Sequence, residues 1–308
     1  MQVAVCVITY RRPVGLRRLL DALSRLTFAG QGPDVCCQVV DNDAEGTSRG
    51  VVDEARPGFR WPLRYAVEPR RGIPFARNTA MREVLPQADW IAFIDDDEVP
   101  EPGWLHELLR VGAEHGADVV AGPVEPCFES PAPDWIVRGG FFWPRAHQTG
   151  FRLDRAATGN VLFRAAILQA VSPWFDERMA LTGGTDIHFF RRAHRAGFRI
   201  VWARDAVVTE RVPESRMHAP WIWRRAFRYG ASTSRIELDL HGVLIGASLV
   251  VASGGYKLLK GALFVLPSAG ARGRAGWVKY VRLMHFGAGM LYGLVGGRYE
   301  EYRTVHGG

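Results

Sequence analysis

The sequence predicts an α/β protein: a doubly wound, mostly parallel, Rossmann-like sheet followed by a C-terminal amphipathic helical region. Three observations lead there. Short apolar runs alternate with segments of helical periodicity, the order of a sheet built from strand–helix units. Each of the first four runs ends abruptly at polar or charged residues, as buried parallel strands do where a ligand gathers at their carboxyl ends. Beyond residue 240 the chain changes character, because residues 241–308 carry +6 of the formal net charge of +7. With 308 residues, 47% hydrophobic and 23% charged, the chain has ample core for one large domain and an appendage. The expected division is residues 1–215 and 216–308.

In order, Val3–Thr9 reads as a first strand. Pro13–Leu26 follows as a helix, with Leu16, Leu19, Leu20 and Leu23 at helical spacing. Val35–Asp41 is a second strand, Thr47–Ala55 a short helix and Leu63–Val67 a third strand. Gly72-Ile73-Pro74 then opens a helix over Phe75–Val84. Trp90–Asp95 is the fourth strand, Trp104–Gly112 a helix, and Val119–Gly122 a further strand of the same sheet. Pro123–Gly150, rich in Pro, Trp and Phe, reads as loops facing substrate. Phe189–Ala196 is a helix closed by Gly197, and Ile200–Trp202 and Val207–Val208 are short strands.

The tail holds two apolar stretches, Gly242–Leu266 and Trp277–Val295, separated by a turn over Pro267–Gly276. A spanning helix needs about 20 uninterrupted apolar residues, and Lys257 and Lys260 break the first stretch. In the second, Lys279, Arg282 and His285 recur on one face. That pattern suits helices lying in an anionic membrane interface; a packed hairpin or a homodimer contact is the alternative. The first 240 residues are nearly neutral, so no nucleic-acid surface is implied. Cys6, Cys36, Cys37 and Cys127 show no metal-binding spacing and point to a reducing compartment. The opening strand leaves no room for a signal peptide, so a cytoplasmic location is expected, peripheral at the inner face of the cell membrane.

Four strand ends carry the chemistry. They are Thr9-Tyr10-Arg11-Arg12, Asp41-Asn42-Asp43, Glu68 to Arg71, and Asp95-Asp96-Asp97. Parallel neighbours bring such ends into one crevice. Three successive aspartates repel one another unless a cation sits among them, and those at i and i+2 point to the same side. A hard divalent ion held by one or two carboxylates keeps open positions for phosphate oxygens, so a Mn²⁺ or Mg²⁺ site for a diphosphate substrate is expected. Tyr10 and Asp41 are candidates for contact with a base, and Arg70, Arg71 and Arg77 for contact with phosphate. No G-x-G-x-x-G follows the first strand, and no Walker A, G-x-S-x-G or H-E-x-x-H appears.

This combination resembles the inverting family-two glycosyltransferases of the GT-A fold. The matching blocks are Val7–Pro13, Val39–Asn42, Gly72–Asn78, Phe93–Asp97, Thr158–Phe163 and Gly183–Phe190. The tail segments Arg225–Gly230 and Arg298–Arg303 are similar to those of bacterial exopolysaccharide (succinoglycan) glucosyltransferases. The resemblance implies nucleotide binding by Thr9, Tyr10, Arg12, Asp41, Arg71, Arg77, Asp95 and Asp96. It implies metal binding by Asp97, assisted by Asp95 and by a distal histidine, here His218. Asp186 would be the general base; Thr185 stands where the family has Glu, and His188 where a second acid is frequent. The implied reaction is metal-dependent, inverting transfer of a sugar from a nucleotide-sugar donor, UDP-linked, to a hydroxyl of a lipid-linked or glycan acceptor. The alternatives are a non-catalytic sugar-nucleotide-binding scaffold, favoured by the loss of that Glu, and a metal-dependent nucleotidyl- or phosphotransferase.

Overall fold

The computed structural model describes residues 1–85, 87–180 and 182–297. Its spine is strand β1 (Gln2–Thr9), whose residues are apolar on both faces because both faces are covered. Val3, Val5 and Val7 belong to one buried cluster, with helices α1 (Pro13–Ser24), α2 (Arg49–Ala55) and α4 (Trp104–Glu114). Ala4 and Cys6 point the other way, into a second cluster with α3 (Ile73–Val84), α6 (Ile167–Ala170) and α7 (Thr185–Arg195). This is the two-layer cover that a parallel sheet requires.

Strands β2 (Asp34–Asp41), β3 (Leu63–Val67), β4 (Trp90–Asp95), β6 (Val119–Ala121), β8 (Arg152–Leu153), β9 (Asn160–Arg164) and β10 (Ile200–Trp202) complete an eight-stranded sheet. Its order is β3-β2-β1-β4-β9-β6-β10-β8. The first four strands are mutually parallel, and β9 inserts antiparallel between β4 and β6. The chain leaves β1 toward β2 but returns on the opposite side as β4. The topological switch, and the crevice it opens, therefore lies between the ends of β1 and β4. Register aligns Thr9 with Asp41 and Ile8 with Asp95.

The region expected as loops over Pro123–Gly150 contains a strand, β7 (Val124–Phe128), and a short helix, α5 (Asp134–Gly139). With β5 (Glu98–Pro100) and β11 (Val208–Val212), β7 forms a second sheet in the order β5-β11-β7. Its residues alternate between half-buried and exposed, and its register is set by β11, far along the sequence.

The tail turns within the expected span Pro267–Gly276, at Gly273, and breaks once more at Gly242. One helical run, Ala219–Leu294, is interrupted at Gly242 (φ 74°) and Gly273 (φ 59°). It forms three helices: α8 (219–241), α9 (243–272) and α10 (274–294). Pro267 lies inside α9, and the reversal occurs at Gly273, where only glycine adopts the required backbone easily. Small residues let the helices touch. A Cβ on Gly289 would lie 2.0 Å from the Phe227 carbonyl oxygen, and one on Gly293 would lie 2.7 Å from that of Ala231. Trp223 and Phe227 of α8 meet Trp277, His285 and Tyr292 of α10. Much of α9 remains uncovered, with Leu244 85% and Leu266 77% exposed. The run passes the length-and-composition test for a membrane-crossing helix, and 17% of its most apolar window is buried. Arg298, Arg303 and the Arg298–Arg303 block lie outside the described residues.

Candidate active site

The three aspartates after β4 face different ways. Asp96 turns inward, is 4% exposed, and accepts hydrogen bonds from Thr9 Oγ1 (2.8 Å) and Arg12 Nη1 (3.0 Å). Asp95 and Asp97 turn toward the crevice. Arg12 Nη1 also lies 3.0 Å from Asp97 Oδ2, with Arg216 Nη2 at 3.8 Å, while Arg77 Nη2 is 3.7 Å from Asp95 Oδ1. Arginine thus supplies the cations among the carboxylates. Behind them, buried Glu98 accepts the Asp95 backbone N–H at 2.8 Å. Gly159 permits this close approach, since a Cβ there would lie 2.4 Å from Glu98 Oε1.

Asp186, in the first turn of α7, comes to the same place. Its carboxylate accepts the Ile187 N–H at 2.8 Å and the Thr158 N–H at 3.4 Å. Gly184, left-handed at φ 85°, is the residue that caps α7, so Asp186 is the second helical residue and not the cap. Glu210, one residue along β11 from Thr209, is the fourth acid: Arg216 Nη1 holds it at 2.6 Å. The carboxyl group of Asp95 is pushed up to about 6, by desolvation first and then by the charges of Asp97, Asp186 and Glu210, against the pull of Arg77. Desolvation and the nearby Asp95 and Asp97 also raise Glu98.

Other predicted residues are placed as follows. Tyr10 lies between two guanidinium groups, Arg11 at 5.3 Å and Arg71 at 5.2 Å from its ring centre. Asp41 is fully buried and accepts hydrogen bonds from Asp43 N, Ser48 N and Tyr65 Oη. It organises the turn beside the crevice. Buried Arg77 donates to Thr185 Oγ1 at 3.3 Å, so the residue standing in the family's Glu position remains in contact with the site. Arg70 pairs with Glu68 and Glu177. His188 Nε2 lies 2.7 Å from Asp239 Oδ2 of α8, which joins the Asp186 helix to the tail.

His218 caps α8, its Nδ1 accepting the Trp221 N–H at 3.2 Å. Among the described residues no three of His, Cys, Asp and Glu gather into a metal-holding group. Asp95 and Asp97 are the two carboxylates of the β4 end that face the crevice, each beside an arginine. Two carboxylates suit Mg²⁺ or Mn²⁺ when substrate phosphates complete the shell. The acids here also outnumber Arg12, Arg77 and Arg216, which leaves a field that favours a cation.

Sequence reasoning missed Glu98, Glu210 and Arg216. Glu98 directly follows the aspartates and is the one with a local signal; Glu210 and Arg216 arrive only through the β5–β11 pairing. Asn42 and Asn78, singled out within matching blocks, are structural pins. Asn42 holds the Glu68 and Arg70 carbonyls and the Gly72 N–H, and Asn78 holds Phe175.

Residues 4–172 match the glycosyl transferase family 2 profile, and residues 90–294 match that of glycosyl transferase family group 2. The chain belongs to glycosyl transferase family 2. It is 31% identical over 305 residues to the succinoglycan biosynthesis protein ExoM of Rhizobium meliloti, covering 96% of this chain and 94% of that one. It is 22% identical over 205 residues to glycosyltransferase AglE of Haloferax volcanii, covering 67% and 65%. Among solved structures it is similar to S. aureus TarS 1-349 in complex with UDP (TM-score 0.54, 16% identity, 97% of this chain and 93% of that one). It is also similar to mannosyltransferase PcManGT from Pyrobaculum calidifontis in complex with GDP-Man and Mn²⁺ (TM-score 0.62, 18% identity, 94% and 87%). The GT-A fold and a glycosyltransferase activity follow from these matches.

Proposed function

We propose that this glycosyltransferase moves a sugar from a UDP-sugar, with inversion, to a hydroxyl of a lipid-linked or glycan acceptor. It would act at the cytoplasmic face of an anionic membrane, with residues 1–215 as the catalytic unit and 216–308 as the membrane-associating one. The observation that carries the reading is a set of arginine bridges at the switch between β1 and β4: Arg12 meets Asp97, Arg216 joins Asp97 to Glu210, and Arg77 joins Asp95 to Thr185, next to Asp186. The uridine donor is supported by the UDP held by TarS, and the metal by the Mn²⁺ of PcManGT. In this reading Asp97 and Asp95 hold Mn²⁺ or Mg²⁺, which supplies charge neutralisation for the departing diphosphate. Thr9 and Asp96 brace Arg12, and Asp41 shapes the turn against which the base lies. Tyr10 and Arg71 line the nucleotide, and Arg77 orients Asp95 and Thr185. Asp186 accepts the proton of the attacking hydroxyl. Thr185 does not disqualify the enzyme, because one carboxylate is enough for a base.

Asp186→Asn tests this. The variant keeps size and the Ile187 contact but cannot accept a proton, and general-base assistance is typically worth about 10²–10⁴-fold. Acceptor-dependent UDP release should fall by that factor while UDP affinity stays unchanged. Undiminished transfer removes Asp186 from the mechanism. A parent that binds UDP-sugar yet transfers to no acceptor points to the scaffold reading, and release of pyrophosphate points to a nucleotidyltransferase.

A further inference from the structure

Asp186 can serve as a base only while the segment that carries it stays in place, and that segment has little stiffness of its own. It enters α7 through two left-handed glycines, Gly183 at φ 74° and Gly184 at φ 85°. Gly184, as the cap, has no side chain with which to bond the first N–H groups of the helix. Outside its own helix, the Asp186 carboxylate accepts the Thr158 N–H at 3.4 Å, a long hydrogen bond. The segment is fixed from two sides. Arg77 reaches Thr185 from the sheet, and α8 supplies a row of contacts from the tail.

Along α8, Ser232 Oγ donates to the Thr182 carbonyl at 3.2 Å and Arg235 Nη1 to Thr182 Oγ1 at 3.3 Å. The helices approach so closely that a Cβ on Gly184 would lie 3.0 Å from Ser232 Cβ. One turn beyond Arg235, Asp239 Oδ2 lies 2.7 Å from Nε2 of His188, in the first turn of α7 and two residues from Asp186. On the far half of α7, Arg191 pairs with Glu237 and Arg195 donates to the Leu240 carbonyl. The His188–Asp239 contact has a defined polarity. The ring is buried, and its Nδ1 has no hydrogen-bond partner among the described residues. A second ring proton would leave an orphaned N–H there, so the single proton sits on Nε2 and is donated to the carboxylate. Burial first, and then the charge of Arg192, hold the ring below its ordinary value, in keeping with a neutral imidazole.

We propose that Asp239 is a positioning residue for the transfer: by accepting the His188 N–H it fixes the first turn of α7 and so aims the Asp186 carboxylate at the attacking hydroxyl. The inference rests on the base reading of Asp186 given above, and it extends the catalytic unit past residue 215 into α8.

The test uses the full chain and two measurements. One is UDP release from UDP-glucose, with octyl β-glucoside or water as the acceptor probe. The other is amide hydrogen exchange over residues 183–190, which needs no turnover. Asp239→Ala removes the acceptor at a position whose side chain is 42% exposed, so truncation opens no cavity. A small misplacement of a reacting group costs up to about a hundredfold, so kcat should fall by about ten- to a hundredfold while KM for UDP-glucose stays unchanged. Exchange over 183–190 should quicken by about tenfold or more. Asp239→Asn still presents a carbonyl oxygen to His188 and should restore most of both. His188→Leu, which removes the donor instead, should repeat the loss. In the Asp186→Asn background, Asp239→Ala should cost little further, because its effect runs through the base. A KM that rises as kcat falls, or penalties that multiply in full in the double variant, would make Asp239 merely structural and overturn the proposal. Unchanged exchange in both Asp239→Ala and His188→Leu overturns it whether or not UDP-glucose is the donor. Undiminished UDP release from Asp186→Asn refutes the base reading instead, whereas loss there beside a normal kcat in Asp239→Ala removes the positioning role alone.

Discussion

Gly159→Ala is the sharpest probe of how the strand-end carboxylates are held. The new Cβ would lie 2.4 Å from Glu98 Oε1, where ordinary contact begins at 3.4 Å, so the carboxylate must retreat by about 1 Å. Glu98 is 4% exposed and cannot swing into solvent. It must rotate away from the Asp95 N–H it now accepts at 2.8 Å. Overpacking costs about 1–3 kcal/mol and the strained hydrogen bond about 1 kcal/mol more. For a chain of this size about 3 kcal/mol lowers the unfolding midpoint by roughly 6–12 °C. The functional cost is separate, because a shift at Asp95 moves a candidate metal ligand. Mn²⁺ should therefore bind more weakly to the variant at temperatures where it is fully folded. The assay is thermal unfolding with a Mn²⁺ titration, repeated on Glu98→Ala and the double variant. Once Glu98 is truncated, Gly159→Ala should cost little further. If the double variant shows both penalties in full, the two residues are uncoupled and the steric argument fails.

Two further outcomes are expected. Burial pushes Glu68 up, but hydrogen bonds from Arg70 and Thr79 outweigh it and hold the carboxyl group at about 2. A depressed carboxyl group contributes stability above its unfolded value near 4.5 and loses it as pH falls toward 2. Glu68→Gln should thus unfold at lower temperature at pH 7, and the gap should narrow below pH 4.5 and close only as pH approaches 2; a gap of constant width would contradict the linkage. The full chain should bind vesicles rich in phosphatidylglycerol at low salt. Lys257→Gln with Lys260→Gln should reduce that binding and its salt dependence, and failure of the parent to bind would assign α9 to packing between copies of the chain.

The parallel half of the sheet was legible because β1, β2 and β4 are covered on both faces. Burial of both faces writes itself into the sequence as unbroken apolar runs such as Val3–Val7 and Ile91–Ile94. The second sheet left no such trace. Its strands β5 and β7 acquire their register from β11, about a hundred residues away from β5, and no local pattern encodes that pairing. Glu210 and Arg216 were hidden for the same reason. In the tail, composition marked the apolar stretches, but the turns depended on backbone freedom at Gly242 and Gly273, two among many glycines. Pro267, the stronger breaker on paper, is tolerated within α9.

The three aspartates also resolve a conflict that the sequence posed without answering. Like charges in succession should destabilise a strand end, yet the chain places them at the centre of its sheet. Side-chain alternation divides them: Asp96 goes inward, where Thr9 and Arg12 satisfy it, and Asp95 and Asp97 go outward together. The inner residue fixes Arg12, and Arg12 through the same Nη1 also reaches Asp97. One guanidinium thereby bridges a structural carboxylate and a crevice carboxylate. A divalent ion approaching Asp97 would compete with Arg12 for the same oxygen, and Asp96 would keep the arginine close by as the ion enters. The buried carboxylate would then hold Arg12 in place beside the crevice whether or not Asp97 keeps its contact with that arginine.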